Sequence, residues 1–120
     1  MSENHPNIVL IAVDQWRGDC LSILGHADVR TPYLDQLAGG GAQMTQAYAA
    51  CPTCVPSRMG LMTGTAPTTH RRIGYQDGIT FDMRVTLPGV LRDAGYQTQA
   101  IGKMHYWPER GRIGFDDVIL

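Results

Sequence analysis

Asn7-Ile8-Val9-Leu10-Ile11-Ala12-Val13 is a nearly unbroken apolar run rich in β-branched residues. A strand with one wet face is apolar only at alternate positions. A run apolar throughout predicts a strand buried on both faces, as in a parallel-type sheet. The polar stretch Asp14-Gln15-Trp16-Arg17-Gly18-Asp19 follows at once. It is expected at the carboxyl end of that strand, where open α/β sheets place their ligands.

Downstream, Thr31-Pro32 opens a helix, with Thr as cap and Pro in the first turn. Tyr33, Leu34, Leu37 and Ala38 form its apolar stripe, and Gly39-Gly40-Gly41 stops it. Residues 42–50 alternate in character and suggest a weaker strand. Pro56 fits the first turn of a helix that runs through Met59-Gly60-Leu61-Met62 to Gly64. Residues 65–82 are expected to be loop. Thr86 to Ala94 predicts a further capped helix closed by Gly95, and Tyr96 to Ile101 a strand. The order strand, helix, strand, helix, helix, strand favours an α/β fold. No repeat, low-complexity tract or linker is visible, so residues 1–120 are expected to form a single domain.

Composition narrows the function. Hydrophobic residues make up 43% and charged residues 18% of the 120, which excludes intrinsic disorder and collagen-like repeats. Ten Lys plus Arg against eleven Asp plus Glu give a net charge of -1, so no basic field exists to hold nucleic acid or an anionic membrane. Ile8 to Val13, the longest apolar run, is too short to span a bilayer. The opening Met-Ser-Glu-Asn-His-Pro lacks signal-peptide order, and a cytoplasmic location is expected. Three cysteines are too few for a disulfide scaffold. Val118-Ile119-Leu120 reads as the opening of a buried segment, so an N-terminal piece of a longer protein is expected. The alternative is a short terminal strand that completes a sheet.

Three polar clusters share one kind of location. Asp14-Gln15 follows a predicted strand, Cys54 to Arg58 enters a predicted helix, and Lys103 with His105 follows another predicted strand. Together they offer oxygen ligands for a hard cation, a nucleophile, and cationic groups for an anion.

Cys54-Val55-Pro56-Ser57-Arg58 resembles the C-x-P-S-R signature of the type I sulfatases, members of the alkaline-phosphatase-like superfamily. Other stretches extend the resemblance in family order. Pro6 to Gln15 looks like the family's opening strand and first metal ligand, and Val29 to Ala38 like its first helix. Ser57 to Gly64 matches the helix after the signature. Ile101-Gly102-Lys103-Met104-His105 resembles the later lysine and histidine motif. The implied fold is an alkaline-phosphatase-like sandwich, with a mostly parallel (mixed) central sheet flanked by helices. Residues 1–120 would be the N-terminal portion of its catalytic domain.

The resemblance implies hydrolysis of a small-molecule or glycan sulfate ester. It assigns Cys54 as the residue that a formylglycine-generating enzyme oxidises to formylglycine. A serine or thiol would be left as a stable sulfated ester. A hydrated aldehyde has two hydroxyls on one carbon: one displaces the alcohol, and deprotonating the other releases sulfate. A calcium ion would polarise the sulfate. Asp14 resembles the first calcium-ligating aspartate, and Cys54, once converted, would share that ion. Gln15 stands where many members have a second aspartate, which removes a negative charge but keeps an oxygen ligand. Glutamine there also occurs in relatives that hydrolyse phosphonate monoesters and phosphodiesters, so that activity is the alternative.

Arg58 resembles the arginine that holds the hydrated aldehyde and metal site. Lys103 resembles the lysine bridging that residue and the sulfate. His105 resembles the histidine that contacts a hydroxyl of the hydrate and helps deprotonate it. Pro56 and Ser57 belong to the stretch read by the modifying enzyme. The remaining ligands, and a second histidine and lysine at the sulfate, are expected in the rest of the parent chain. The piece alone is therefore expected to be inactive.

Plainer readings stand beside these. Asp14 alone is a turn or capping residue, Cys54 a buried thiol, and Arg58 and Lys103 solvated charges. His105 beside Tyr106 and Trp107 is a packed ring. Cys51-Pro52-Thr53-Cys54 would also suit a redox pair at a helix start. A zinc site would need a second close-spaced Cys or His pair. His70, Arg71 and Arg72 are expected as exposed loop residues, with contact to a substrate anion the alternative. Trp16 and Arg17 suit either a pocket rim or packing and a salt bridge. Cys20 and Cys51 are plain thiols, and Met59, Leu61 and Met62 are helix core.

Overall fold

The computed structural model describes residues 5–120. The chain divides into two compact units, 6–48 and 49–120 with His5.

In the first unit a 3-10 turn, Ser22–Leu24, precedes helix α1, Pro32–Gly39. Pro32 starts α1 as the sequence predicts, and Gly40 caps its end. Thr31 makes no side-chain cap bond within the helix. Its hydroxyl instead bonds Asp35 Oδ1 at 3.0 Å and receives Ser22 N–H at 3.0 Å. Asp35 also accepts from the Ser22 hydroxyl at 2.6 Å and from Ile23 N–H at 3.1 Å. These bonds hold its carboxyl below the ordinary value.

The two strands predicted in this stretch do not form. Residues 7–13 run without strand pairing, and Val9 and Ile11 are 81% and 76% exposed. Residues 42–50 are likewise irregular. A strand exists only through hydrogen-bonded neighbours, and the described residues supply none to this apolar run. The stripe of α1 is also open, with Tyr33 and Leu37 exposed.

The second unit holds helices α2, Cys54–Thr63, α3, Pro67–His70, and α4, Leu87–Asp93, and strands β1, Gln99–Ile101, and β2, Asp117–Ile119. Gly64 ends α2 at φ +66°, a conformation glycine adopts without strain. Helix α3 lies where the sequence suggested only loop. Pro67 sets its first position. Thr86 caps α4 by accepting Gly89 N–H at 3.2 Å, and its own hydroxyl donates to the Ile113 carbonyl at 2.7 Å.

β1 and β2 pair in parallel, with Gln99 opposite Asp117, Ala100 opposite Val118 and Ile101 opposite Ile119. Just before each strand, Thr98 N–H bonds Asp116 Oδ2 at 2.8 Å and Asp116 N–H returns to Thr98 Oγ1 at 3.1 Å. This reciprocal pair sets the register and lowers the Asp116 pKa. Met62, Ala100 and Met104 form the buried centre, covered by Phe81, Tyr106, Ile113, Phe115 and Val118. Pro56 and Pro88 are fully buried. Met59 and Met62 are core, as expected, whereas Leu61 is 41% exposed.

Candidate functional site

Cys54 is the first residue of α2 and a free, half-buried thiol. Thr53 precedes it in extended conformation without capping the helix through its side chain. Cys54 and Val55 carry first-turn N–H groups of α2, and Pro56 has none to leave unsatisfied. Negative charge on residue 54 would lie at the positive end of the helix.

Arg58 lies one turn further along. Its Nη1 donates to the Lys103 carbonyl at 2.6 Å. That bond ties α2 to the segment leaving β1. Gly102 makes the exit turn at φ +85° and donates its N–H to the Ile119 carbonyl at 2.7 Å. Lys103 and His105 thus follow the carboxyl end of a real strand, as the sequence predicts. Arg58, Lys103 and His105 come together; both Lys103 and His105 line an open cleft of about 400 Å³, with Val55, Asp77 and Leu120 among its other walls.

His105 holds a φ of +60°, uncommon outside glycine. Its Nε2 lies 3.2 Å from Asp77 Oδ1 and 3.2 Å from the Tyr75 hydroxyl. The Tyr75 hydroxyl donates to Asp77 Oδ2 at 2.6 Å. That bond is the main reason the Tyr75 phenol titrates above its ordinary value; burial, the Asp77 charge and the Cys54 charge add to it. Tyr75 and Asp77 were not found from sequence. They lie 30 and 28 residues before His105, inside a stretch with no periodicity to single them out.

His70 corrects the sequence expectation. It is 8% exposed rather than a loop surface residue. Its Nδ1 accepts Arg72 N–H at 3.1 Å, and burial lowers its pKa. Arg72 donates to the Thr80 carbonyl at 3.2 Å, and Arg71 is exposed at φ +60°. The Cys51 thiol lies 3.4 Å from the Thr53 hydroxyl, which lowers its pKa.

In the first unit, Asp14 and Gln15 form an exposed turn, with Gln15 at φ +50°. A carboxylate and an amide oxygen on adjacent residues suit a hard cation such as calcium in kind. Among the described residues no cluster of three or more His, Cys, Asp or Glu side chains gathers for a metal. Trp16 Nε1 donates to the Cys20 carbonyl at 2.9 Å, and Arg17 pairs with Asp19 at 3.0 Å. Arg17 thus makes a local salt bridge, while Trp16 bonds the local backbone and stays exposed.

The family model described as Sulfatase matches residues 6–119. The chain belongs to the sulfatase family. This sulfatase-family chain is 46% identical over 115 residues to an arylsulfatase of Clostridium perfringens, covering 96% of the chain and 24% of that protein. It is 41% identical over 104 residues to an N-acetylgalactosamine-6-O-sulfatase of Bacteroides thetaiotaomicron, covering 83% of the chain and 20% of that protein. The crystal structure of a phosphonate monoester hydrolase of Agrobacterium radiobacter superposes with a TM-score of 0.82 at 32% identity, over 97% of the chain and 26% of the other. The chain thus spans about a quarter of the length of the proteins it matches.

Proposed function

We propose that the whole protein hydrolyses sulfate monoesters, with position 54 as nucleophile. Its full fold would be the alkaline-phosphatase-like sandwich, with a mixed central sheet flanked by helices. The observation that carries this reading is the bond from Arg58 Nη1 to the Lys103 carbonyl. It joins the C-x-P-S-R helix to the segment bearing Lys103 and His105, in a chain of sulfatase descent. The names of two relatives, an arylsulfatase and an N-acetylgalactosamine-6-O-sulfatase, support a sulfated aryl alcohol or sugar.

A formylglycine derived from Cys54, when hydrated, supplies two hydroxyls on one carbon, one to displace the alcohol and one to free the sulfate. A calcium ion, when bound, supplies a Lewis acid for the sulfate oxygens. The Asp14 carboxylate and the Gln15 amide oxygen would be ligands of that ion. The chain's own groups do the rest. The first turn of α2 stabilises anionic oxygen at position 54. Arg58 anchors the backbone of Lys103. The Lys103 ammonium binds the sulfate, and His105 accepts a proton at the reacting centre.

Gln15 and the phosphonate monoester hydrolase likeness favour a second reading, phosphonate monoester hydrolysis by the same groups. One experiment separates the two. The whole protein is made in a host that converts Cys54, and an aryl sulfate is compared with an aryl phosphonate monoester, with Cys54→Ala as control. Preference for the sulfate, lost by at least about a thousandfold in the variant, is expected for a covalent nucleophile. Preference for the phosphonate moves the protein to the second reading. A thiol that stays unmodified in that host, with turnover unchanged by Cys54→Ala, would overturn both.

A further inference from the structure

His105 has two ring nitrogens in different circumstances. Nε2 faces the Asp77 carboxylate at 3.2 Å and the Tyr75 hydroxyl at 3.2 Å. Nδ1 is buried and has no hydrogen-bond partner among the described residues. A hydroxyl has one proton to give, and Tyr75 gives its proton to Asp77 at 2.6 Å, the shorter of its two contacts. Tyr75 therefore offers no proton to Nε2. An ionised carboxylate can only accept. Were Nε2 unprotonated, its lone pair would face that carboxylate, and Nδ1–H would be a buried donor with nothing to bond. With the proton on Nε2 the ring donates to the carboxylate, and the group left without a partner is the Nδ1 lone pair, an acceptor.

We propose that Asp77 and Tyr75 are positioning residues that hold His105 as its Nε2–H tautomer and so leave Nδ1 as the proton acceptor of the site. The Tyr75 ring packs edge-on to the imidazole, centroids 5.3 Å apart, and fixes its plane. The His105 backbone holds φ +60° while its ring keeps these contacts with Tyr75 and Asp77. What Nδ1 serves rests on the sulfate-ester reading; the tautomer does not. In that reading a hydroxyl at the reacting centre gives its proton to Nδ1. The ring becomes imidazolium, with a proton on each nitrogen. Asp77 meets the positive charge, and the Nδ1 proton passes to the water that enters as the product leaves.

Asp77 is 66% exposed, so its replacement leaves the core intact. The test uses the whole protein labelled with 15N-histidine and with Cys54 still a thiol. Two-bond 1H–15N correlations report the tautomer, and His105→Gln assigns the signal. The wild type is expected to show Nε2–H. In Asp77→Ala the freed Tyr75 hydroxyl turns to Nε2, and the signal moves to Nδ1–H or a mixture. Tyr75→Phe keeps Nε2–H because Asp77 remains. A wild-type Nδ1–H signal, an unchanged spectrum in Asp77→Ala, or a switched one in Tyr75→Phe would each overturn the proposal. In the converted enzyme, Asp77→Ala should lower kcat about ten- to a hundredfold with KM within about threefold, a part of what a general base contributes. Equal kcat would overturn it too. If the wild type turns over no ester, the sulfate reading fails while the spectrum still decides the tautomer.

Discussion

Replacing Thr86 with alanine removes two bonds made by one oxygen. The hydroxyl accepts Gly89 N–H at the start of α4 and donates to the Ile113 carbonyl. Thr86 is 6% exposed, so water does not take over either bond. A lost cap costs about 1 kcal/mol. Stranding a carbonyl away from solvent costs about 1–2 kcal/mol more. The sum is about 2–3 kcal/mol, which corresponds to roughly a 30- to 150-fold change in an opening equilibrium. Hydrogen exchange read by mass spectrometry is the assay. Amides of 87–91 and 113–117 in Thr86→Ala should lose protection by that factor. Thr86→Ser keeps the oxygen and gives up one methyl, so its loss should be about 1 kcal/mol, roughly fivefold. Protection in the alanine variant within twofold of wild type would refute the reasoning. So would a serine variant as weak as alanine.

Gly114→Ala strikes the same junction from the other side. A Cβ there would sit 2.6 Å from both Gly89 N and Thr86 Oγ1, at φ +110°. It should destabilise by about 3 kcal/mol or more, read as a lower urea midpoint. The Asp116 carboxyl is depressed by its bonds from Thr98. The unfolded chain therefore takes up the proton first on acidification. The stability this bond gives is full above about pH 4 and fades as pH falls toward the depressed value. Asp116→Asn should flatten that acid limb in urea midpoints measured from pH 5 downward. His70 is also depressed, by burial. Below about pH 6.5 the unfolded chain gains a proton that the native ring refuses, so stability falls with pH until the native value is passed. His70→Asn should remove that slope, and an unchanged slope would clear His70 of it.

Local signals were legible because they act over a few residues. Pro32, Thr86 and Gly64 mark helix ends by a fixed φ, a cap and a left-handed turn, and α1, α4 and α2 appear where those marks stand. The Cys54–Arg58 segment and the Lys103–His105 segment were legible as separate motifs. That one bonds the other through a side chain and a carbonyl 45 residues apart was not written in either. The run 7–13 reads as a strand because its composition fits one, yet strands are made by neighbours, and composition names none. Tyr75 and Asp77 escaped for the same reason. Their meaning lies in His105, and only folding brings it to them. The Ala66-Pro67 pair that starts α3 was a usable signal, and with it the burial of His70 could have been suspected.

The uncovered run Ile8 to Val13 has a consequence in time. Ribosomes lengthen chains at roughly 5–20 residues per second, so the next hundred residues take about 5–20 s to make. Once clear of the ribosome, this β-prone segment meets water, with Val9 and Ile11 largely exposed. Such a segment is a template for pairing with a second nascent copy. The polar residues that flank it, Asn7 and the Asp14-Gln15 pair, then act as gatekeepers. Protection from aggregation during synthesis would then fall to three polar side chains.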